Sequence, residues 1–282
     1  MSYRIAALMP ANALQCLLPT WLAFCRIDLT APKARDEGRM KDCAIVIPAR
    51  LASQRFPEKL LQPVCGKPLI LHTAENVRRI APEYPVYFAV AEEKLRAVLE
   101  ASGYSCILTD PDLPSGTDRI AMANRQIGAT WLINVQADEP VLATEHIQQL
   151  VQVLETGVDV GTLATPFKDE ADFRDPNKVK VVCNQNGRAL YFSRAPIPHE
   201  RDSKGGLPPK AFWHLGLYGY HKDVLERFMQ WEPGSLEQVE RLEQLRILEN
   251  GGSIGVGITE TRTIGVDVPE DLERLEASLG SL

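Results

Sequence analysis

Residues 44–61 read AIVIPARLASQRFPEKLL. Ala44 to Ile47 is a continuous apolar run, the pattern of a strand buried on both faces in a parallel sheet. Pro48 lacks an N–H and is expected to stop the strand. Arg50, Arg55 and Lys59 then place three cations within ten residues, on a backbone of small residues and prolines. Open α/β sheets bind ligands past the carboxyl ends of their strands, so a basic loop in that position suits a polyphosphate. A solvated basic loop fits the same residues. The strand before it and the helix after it fix where the loop lies, and they favour the polyphosphate.

Downstream, strand-like and helix-like blocks alternate, which predicts an α/β fold with a parallel sheet. Helices are expected over 68–80, 92–102, 118–127 and 144–156, and strands over 86–91, 105–109 and 131–136. These close a nucleotide-binding half at about residues 40–157. The remainder, about 158–282, is less regular. Strands are expected over 158–166, 179–184, 189–193, 212–220 and 255–259, with the turn Asn184-Gln185-Asn186-Gly187 joining two of them. The polar segment 199–209 reads as a loop. Helices are expected over 222–231 and 269–279. Leu236, Val239, Leu242, Leu245 and Leu248 recur every third residue and predict one further helix between them.

The totals exclude several classes. A chain of 282 residues with 45% hydrophobic and 24% charged residues is an ordinary globular protein with a sizeable core. Its net charge of −6 argues against a nucleic-acid partner, which needs a basic footprint. Six cysteines, at 16, 25, 43, 65, 106 and 183, form no C-x-x-C pair and suit reduced thiols in a cytoplasmic protein. Residues 1–39 lack the alternation of the rest. Their apolar stretch, Ala6 to Phe24, is broken by Pro10, Asn12, Gln15 and Pro19 and is short for a membrane span. We expect an N-terminal extension, disordered or upstream of the true start, and no membrane partner.

Several residues could carry chemistry. Asp138 directly follows a buried strand in NVQADEP, where a carboxylate facing a phosphate loop suits Mg²⁺; Asp-Glu-Pro also suits a helix-initiating turn. Asp267 stands before Pro269 and a helix, where an aspartate commonly caps. Ser115, Gly116, Thr117, Asp118 and Arg119 lie at a helix start, and a capped turn explains Ser115 or Thr117. Arg194 offers a planar fork for a carboxylate. His214, Tyr218, Glu243 and Gln244 offer donors and acceptors for hydroxyls, although strand packing and the wet face of a helix also explain them.

Taken together, these segments resemble the CMP-Kdo synthetases (3-deoxy-manno-octulosonate cytidylyltransferases). The matching motifs are PAR-x-x-S-x-R-x-P-x-K-x-L at Pro48 to Leu61, SGTDR at 115–119, QADEP at 136–140, SRAPIP at 193–198, HLGLYGY at 214–220, LEQVERLEQLRILE at 236–249 and GVDVPEDL at 265–272. The resemblance spans roughly Met40 to Ser278. It implies a Rossmann-like, mostly parallel sheet flanked by helices, of the nucleotide-diphospho-sugar transferase type, with a smaller sugar-binding and dimerisation subdomain. It implies CMP transfer from CTP to the anomeric hydroxyl of Kdo, with Mg²⁺ as cofactor, in a cytoplasmic homodimer that supplies lipopolysaccharide assembly. By the same resemblance Pro48, Ala49, Arg50, Ser53, Arg55, Lys59, Ser115, Gly116, Thr117 and Arg119 would bind the nucleotide. Asp138 and Asp267 would hold the metal, and together with Arg50 and Lys59 they would form the catalytic set. Gln136, Arg194, His214, Tyr218, Glu243 and Gln244 would bind the sugar. The chain departs from the pattern at Glu58 and Ala137, where the family has glycine, and at Asp110 and Leu113, where it often has arginine and histidine. Rival readings are a same-fold enzyme for another acid sugar, such as a sialate or an amino-Kdo analogue, and a nucleotide-binding regulator without catalysis.

Overall fold

The apolar run that opens the matched region forms β1, Cys43–Ala49, buried along almost its whole length. The computed structural model describes residues 40, 42–52, 56–202, 205–266 and 268–279. The N-terminal extension, Ser53, Arg55 and Asp267 therefore lie outside the described residues. β1 pairs in parallel with β4, Val86–Val90, on one side and with β6, Trp131–Asn134, on the other. Its side chains alternate between faces, as a strand's must: Ile45 and Ile47 join one apolar core and Val46 the other.

Pro48 does not stop the strand. β1 continues through Pro48, which sits opposite Ala89, to Ala49. The reason is directional. Ile45 and Ala49 bond toward β4, while Val46 bonds to Val135 on the β6 side. The missing N–H of Pro48 thus faces the side where β6 has already ended at Asn134, and no ladder bond is lost.

The first core packs α1 (Leu69–Ile80), α2 (Glu93–Ala101) and α4 (Thr144–Leu154) on one face of the sheet. The second packs α3 (Gly116–Ile127), α6 (Lys222–Phe228) and α8 (Gln244–Glu249) on the other. The sheet order is β11-β7-β10-β6-β1-β4-β5, where β5 is Ser105–Leu108, β7 Val160–Pro166, β10 Phe212–His221 and β11 Ile254–Ile258. β10 runs antiparallel to both β6 and β7. The sheet is otherwise parallel along this path, as expected, and it crosses the boundary near residue 157 without a break. β8 (Lys180–Cys183) and β9 (Ala189–Ser193) extend it through antiparallel pairing of β8 with β10. Asn184 Oδ1 accepts from the N–H groups of Asn186 and Arg188 in the expected turn between them. Close approach of α4 requires glycine on β10: a Cβ at Gly219 would lie 2.5 Å from Leu154 Cδ1.

Two further differences matter. The leucine-spaced segment is two helices, α7 (Ser235–Glu240) and α8, broken at Arg241 in the left-handed conformation. A short helix absent from the expectation, α5 (Glu170–Arg174), is capped by Asp169, whose side chain accepts from Asp172 N. A separate antiparallel pair, β2 (Pro63–Val64) and β3 (Lys67–Pro68), precedes α1, and α9 (Glu270–Leu279) closes the described chain, with Leu275 in the first core.

Candidate active site

The carboxyl ends of β1 and β6 open into a cleft of about 820 Å³. One wall comes from Pro48, Ala49 and Arg50, from Lys59, and from Ser115, Gly116 and Thr117 at the start of α3. Ser115 caps that helix, accepting from Asp118 N at 3.1 Å and donating to Asp118 Oδ2 at 2.7 Å. This leaves the first-turn backbone of α3 against the cleft, where a helix N-terminus favours anions. Arg119 is buried and donates from Nη1 to Thr109 Oγ1 and, at 3.1 Å, to Asp110 O. Its Nη2 has no hydrogen-bond partner among the described residues. Burial lowers its pKa from the usual arginine value.

The floor is the end of β6 and the residues after it: Asn134, Gln136, Ala137 and Asp138. Lys59 Nζ donates to the Asp138 carboxylate and, at 2.9 Å, to Val266 O. Val266 N donates to Asp138 O at 2.9 Å. One lysine thus ties the loop after β1 to the strand end and to the segment ahead of α9. Asp138 remains partly open to the cleft, with 27% of its side chain exposed.

The opposite wall carries Arg194, Tyr218, Tyr220, Arg241, Glu243 and Gln244. Thr117 Oγ1 donates across to Glu243 Oε2 at 3.0 Å. Protein surrounds Glu243 on most sides while its face to the cleft stays open. That burial raises its pKa, against the hydrogen bonds from Thr117 and Ser115, which lower it. Tyr218 stacks on Tyr220 with ring centroids 5.7 Å apart. Burial raises both phenol pKa values, so both rings keep their protons at neutral pH. Gln136 Nε2 donates to Gly216 O at 3.2 Å and braces the irregular stretch of β10 between Leu215 and Tyr218.

In charge, Arg50, Lys59, Arg119, Arg194 and Arg241 face only Asp138 and Glu243 among the described lining side chains. The cleft is cationic in a chain of net charge −6, as an anionic ligand requires. A family model described as Cytidylyltransferase matches residues 44–258, the span that builds most of this cleft. A relative from Anaeromyxobacter sp. (strain Fw109-5), named 3-deoxy-manno-octulosonate cytidylyltransferase, is 43% identical over 244 residues, covering 86% of this chain and 98% of its own. The chain belongs to the 3-deoxy-manno-octulosonate cytidylyltransferase family. A relative of the same name from Chloroherpeton thalassium is 43% identical over 239 residues, covering 83% of this chain and 96% of its own. A solved CMP:2-keto-3-deoxy-manno-octonic acid synthetase, complexed with CTP, superposes with a TM-score of 0.79 at 35% identity. It covers 85% of this chain and 99% of that one.

For a 3-deoxy-manno-octulosonate cytidylyltransferase, the cleft gathers most of the residues singled out in the sequence. Pro48, Ala49, Arg50, Lys59, Ser115, Gly116, Thr117, Arg119, Gln136, Asp138, Arg194, Tyr218, Glu243 and Gln244 all line it. His214 does not. It lies behind Tyr218, with ring centroids 5.3 Å apart, and its Nε2 is 3.0 Å from Thr162 Oγ1. Full burial lowers its pKa from 6.5 to about 3, so it is neutral. Three polar lining residues, Asn134, Tyr220 and Arg241, are assigned no role by the sequence, although Tyr220 and Arg241 fall inside matched motifs. Asn134 is legible as a polar residue at the end of an apolar strand, and Tyr220 as an aromatic two positions beyond Tyr218. Arg241 is hidden, because the leucine spacing around it runs on unbroken.

Proposed function

We propose that this chain is a nucleotidyltransferase that moves CMP from CTP to the anomeric hydroxyl of Kdo, giving CMP-Kdo and pyrophosphate. The observation that carries this reading is the identity of 43% with full-length relatives of that activity, coupled to a cationic cleft at the carboxyl ends of β1 and β6. The anomeric oxygen attacks the α-phosphorus, the bond to the β-phosphate breaks, pyrophosphate leaves with the electron pair, and the hydroxyl proton passes to water. Arg50 and Lys59 offset the triphosphate charge, together with the N-terminal turn of α3. By the family resemblance Ser53 and Arg55 would join them. The second wall holds the sugar: Tyr218 and Gln244 donate to hydroxyls, Glu243 accepts, and Arg194 stands on the carboxylate side. Holding both substrates in line supplies much of the acceleration.

Magnesium fits the donor set. Asp138 offers a carboxylate at a strand end open to the cleft, and Mg²⁺ takes one or two carboxylates plus phosphate oxygens. Asp138 would hold it with Asp267, which follows the Val266 that is bonded to Asp138. Bound there, the ion would neutralise charge at the α-phosphate. Lys59, already bonded to Asp138, holds that carboxylate in place at the edge of the cleft.

The family resemblance further supports a cytoplasmic homodimer serving lipopolysaccharide assembly. Among the described residues no helix is long and apolar enough to cross a membrane. Leu190 on β9 and Val239 on α7 are 61% and 83% exposed and offer apolar surface to a second copy. Sedimentation velocity reads that state directly. The test of the function is pyrophosphate release from CTP, with and without Kdo. Release that needs Kdo and outpaces that with sialate is expected; release indifferent to Kdo would overturn the reading.

A further inference from the structure

The chain turns between α7 and α8 on Arg241, whose φ of 54° and ψ of 49° lie in the left-handed region. Glycine adopts that conformation freely and arginine does not. The turn is held from outside. The Glu240 carboxylate accepts from Ser193 Oγ at 2.6 Å and from Arg194 N at 2.9 Å. The Arg194 guanidinium donates from Nε to Glu240 O at 2.7 Å, from Nη1 to Pro176 O at 3.1 Å and from Nη2 to Arg241 O at 3.4 Å. Arg194 therefore directs its donors at backbone carbonyls. Arg241 lines the same cleft, exposed, and its side chain forms no ion pair with a described residue.

We propose that Arg241 supplies the guanidinium that takes the acceptor sugar's carboxylate, and that Arg194 positions it by clamping the turn. The inference rests on the Kdo reading above. Strain at a cleft-lining residue marks a function that outweighs its cost, since glycine at 241 would make the same turn without strain and without the cation. The turn delivers Glu243 and Gln244 to the cleft within three residues of Arg241, on the wall facing Arg50 and Lys59. A carboxylate beside hydroxyls is what an acid sugar presents there, and a planar guanidinium fork matches it.

The test compares kcat/KM for Kdo and for its C1 carboxamide at saturating CTP. Wild type should prefer the acid by roughly 10- to 100-fold, the range of a hydrogen bond to a charged group. Arg241→Gly should remove most of that preference while leaving the KM for CTP unchanged and the melting temperature equal or higher. Arg241→Lys, with charge but no fork, should fall between. Arg194→Ala should lose both the preference and thermal stability, because it releases the turn. An Arg241→Gly enzyme that keeps the full acid preference would overturn the assignment. If wild type used neither the acid nor the amide, the Kdo reading itself would fail, a result separate from that one.

Discussion

The nucleotide wall and the floor of the cleft come from short runs, 48–59, 115–119 and 134–138, each set at the end of a parallel strand or the start of a helix. The acceptor wall draws on residues 194, 218 and 241–244, and its geometry depends on bonds between distant segments. Ser193 and Arg194 reach Glu240 across more than forty residues. On the first wall, local pattern and topology alone decide where a side chain points. On the second, a long-range clamp breaks a helix that local pattern would have continued. Substitutions should therefore act differently on the two walls.

The largest effect belongs to the nucleotide wall. Asp138→Asn should lower turnover by ~10²-fold or more, as loss of a key charge-stabilising group does. Asp267→Asn should match it, and the double variant should be little worse, because groups serving one centre are not additive. Steady-state kcat at saturating substrates reads this, and two losses that multiply would separate the aspartates.

Behind the acceptor wall, the effect is on stability against pH. His214 is neutral when folded, with a pKa of about 3 against 6.5 unfolded. The unfolded chain thus binds one more proton between those values, and folding stability falls as pH drops through the window. The loss approaches ~1.4 kcal/mol per pH unit below 6.5. Denaturation of wild type and His214→Gln at pH 6.5 and 4.5 should show the variant losing less by that slope. Equal losses would mean that His214 is protonated in place.

A smaller change sharpens the loop after β1. Glu58 has φ 51°, left-handed, and its carboxylate pairs with Lys94 at 2.9 Å on the surface. Glycine at 58 would relieve roughly 1 kcal/mol of backbone strain, against an exposed pair worth roughly 0.2–1 kcal/mol. Urea denaturation of Glu58→Gly should show equal or slightly greater stability. A loss above about 1 kcal/mol would mean that the ion pair dominates.

The smallest effect is at Glu243, whose raised pKa means that its ionised form is disfavoured on folding. A carboxyl raised in this way gains stability as pH falls through its folded value. At neutral pH, Glu243→Gln should melt no more than a few degrees higher, because solvent in the open cleft screens the charge, and the gain should shrink toward acid. Differential scanning calorimetry at two pH values measures it.

The sequence exposed the parallel core because apolar runs at β1, β4 and β6 are buried on both faces and interrupted only by helices. It does not reveal that β1 runs on through Pro48, because the direction of each strand bond depends on the neighbour's length. The break at Arg241 is hidden for a related reason: Leu236, Leu242 and Leu245 keep a helical period through it, and the clamp from Arg194 is invisible locally. His214 reads as a sugar contact from sequence because a strand's alternate face cannot be assigned to cleft or core until the bulge between Leu215 and Tyr218 is known. The glycine that the motif resemblance implies at position 58 would suit the left-handed angle that Glu58 adopts there.

The division into two walls is tested most directly by the KM for CTP and for Kdo, measured side by side in Arg50→Ala and Gln244→Ala. Arg50→Ala should raise the KM for CTP by tenfold or more, the cost of a charge-assisted hydrogen bond, and leave that for Kdo nearly unchanged. Gln244→Ala should do the reverse, with a smaller rise because its hydrogen bonds are to neutral hydroxyls. If Arg50→Ala instead weakened Kdo binding and Gln244→Ala weakened CTP binding, or if each variant shifted both constants equally, the two walls would not divide the substrates.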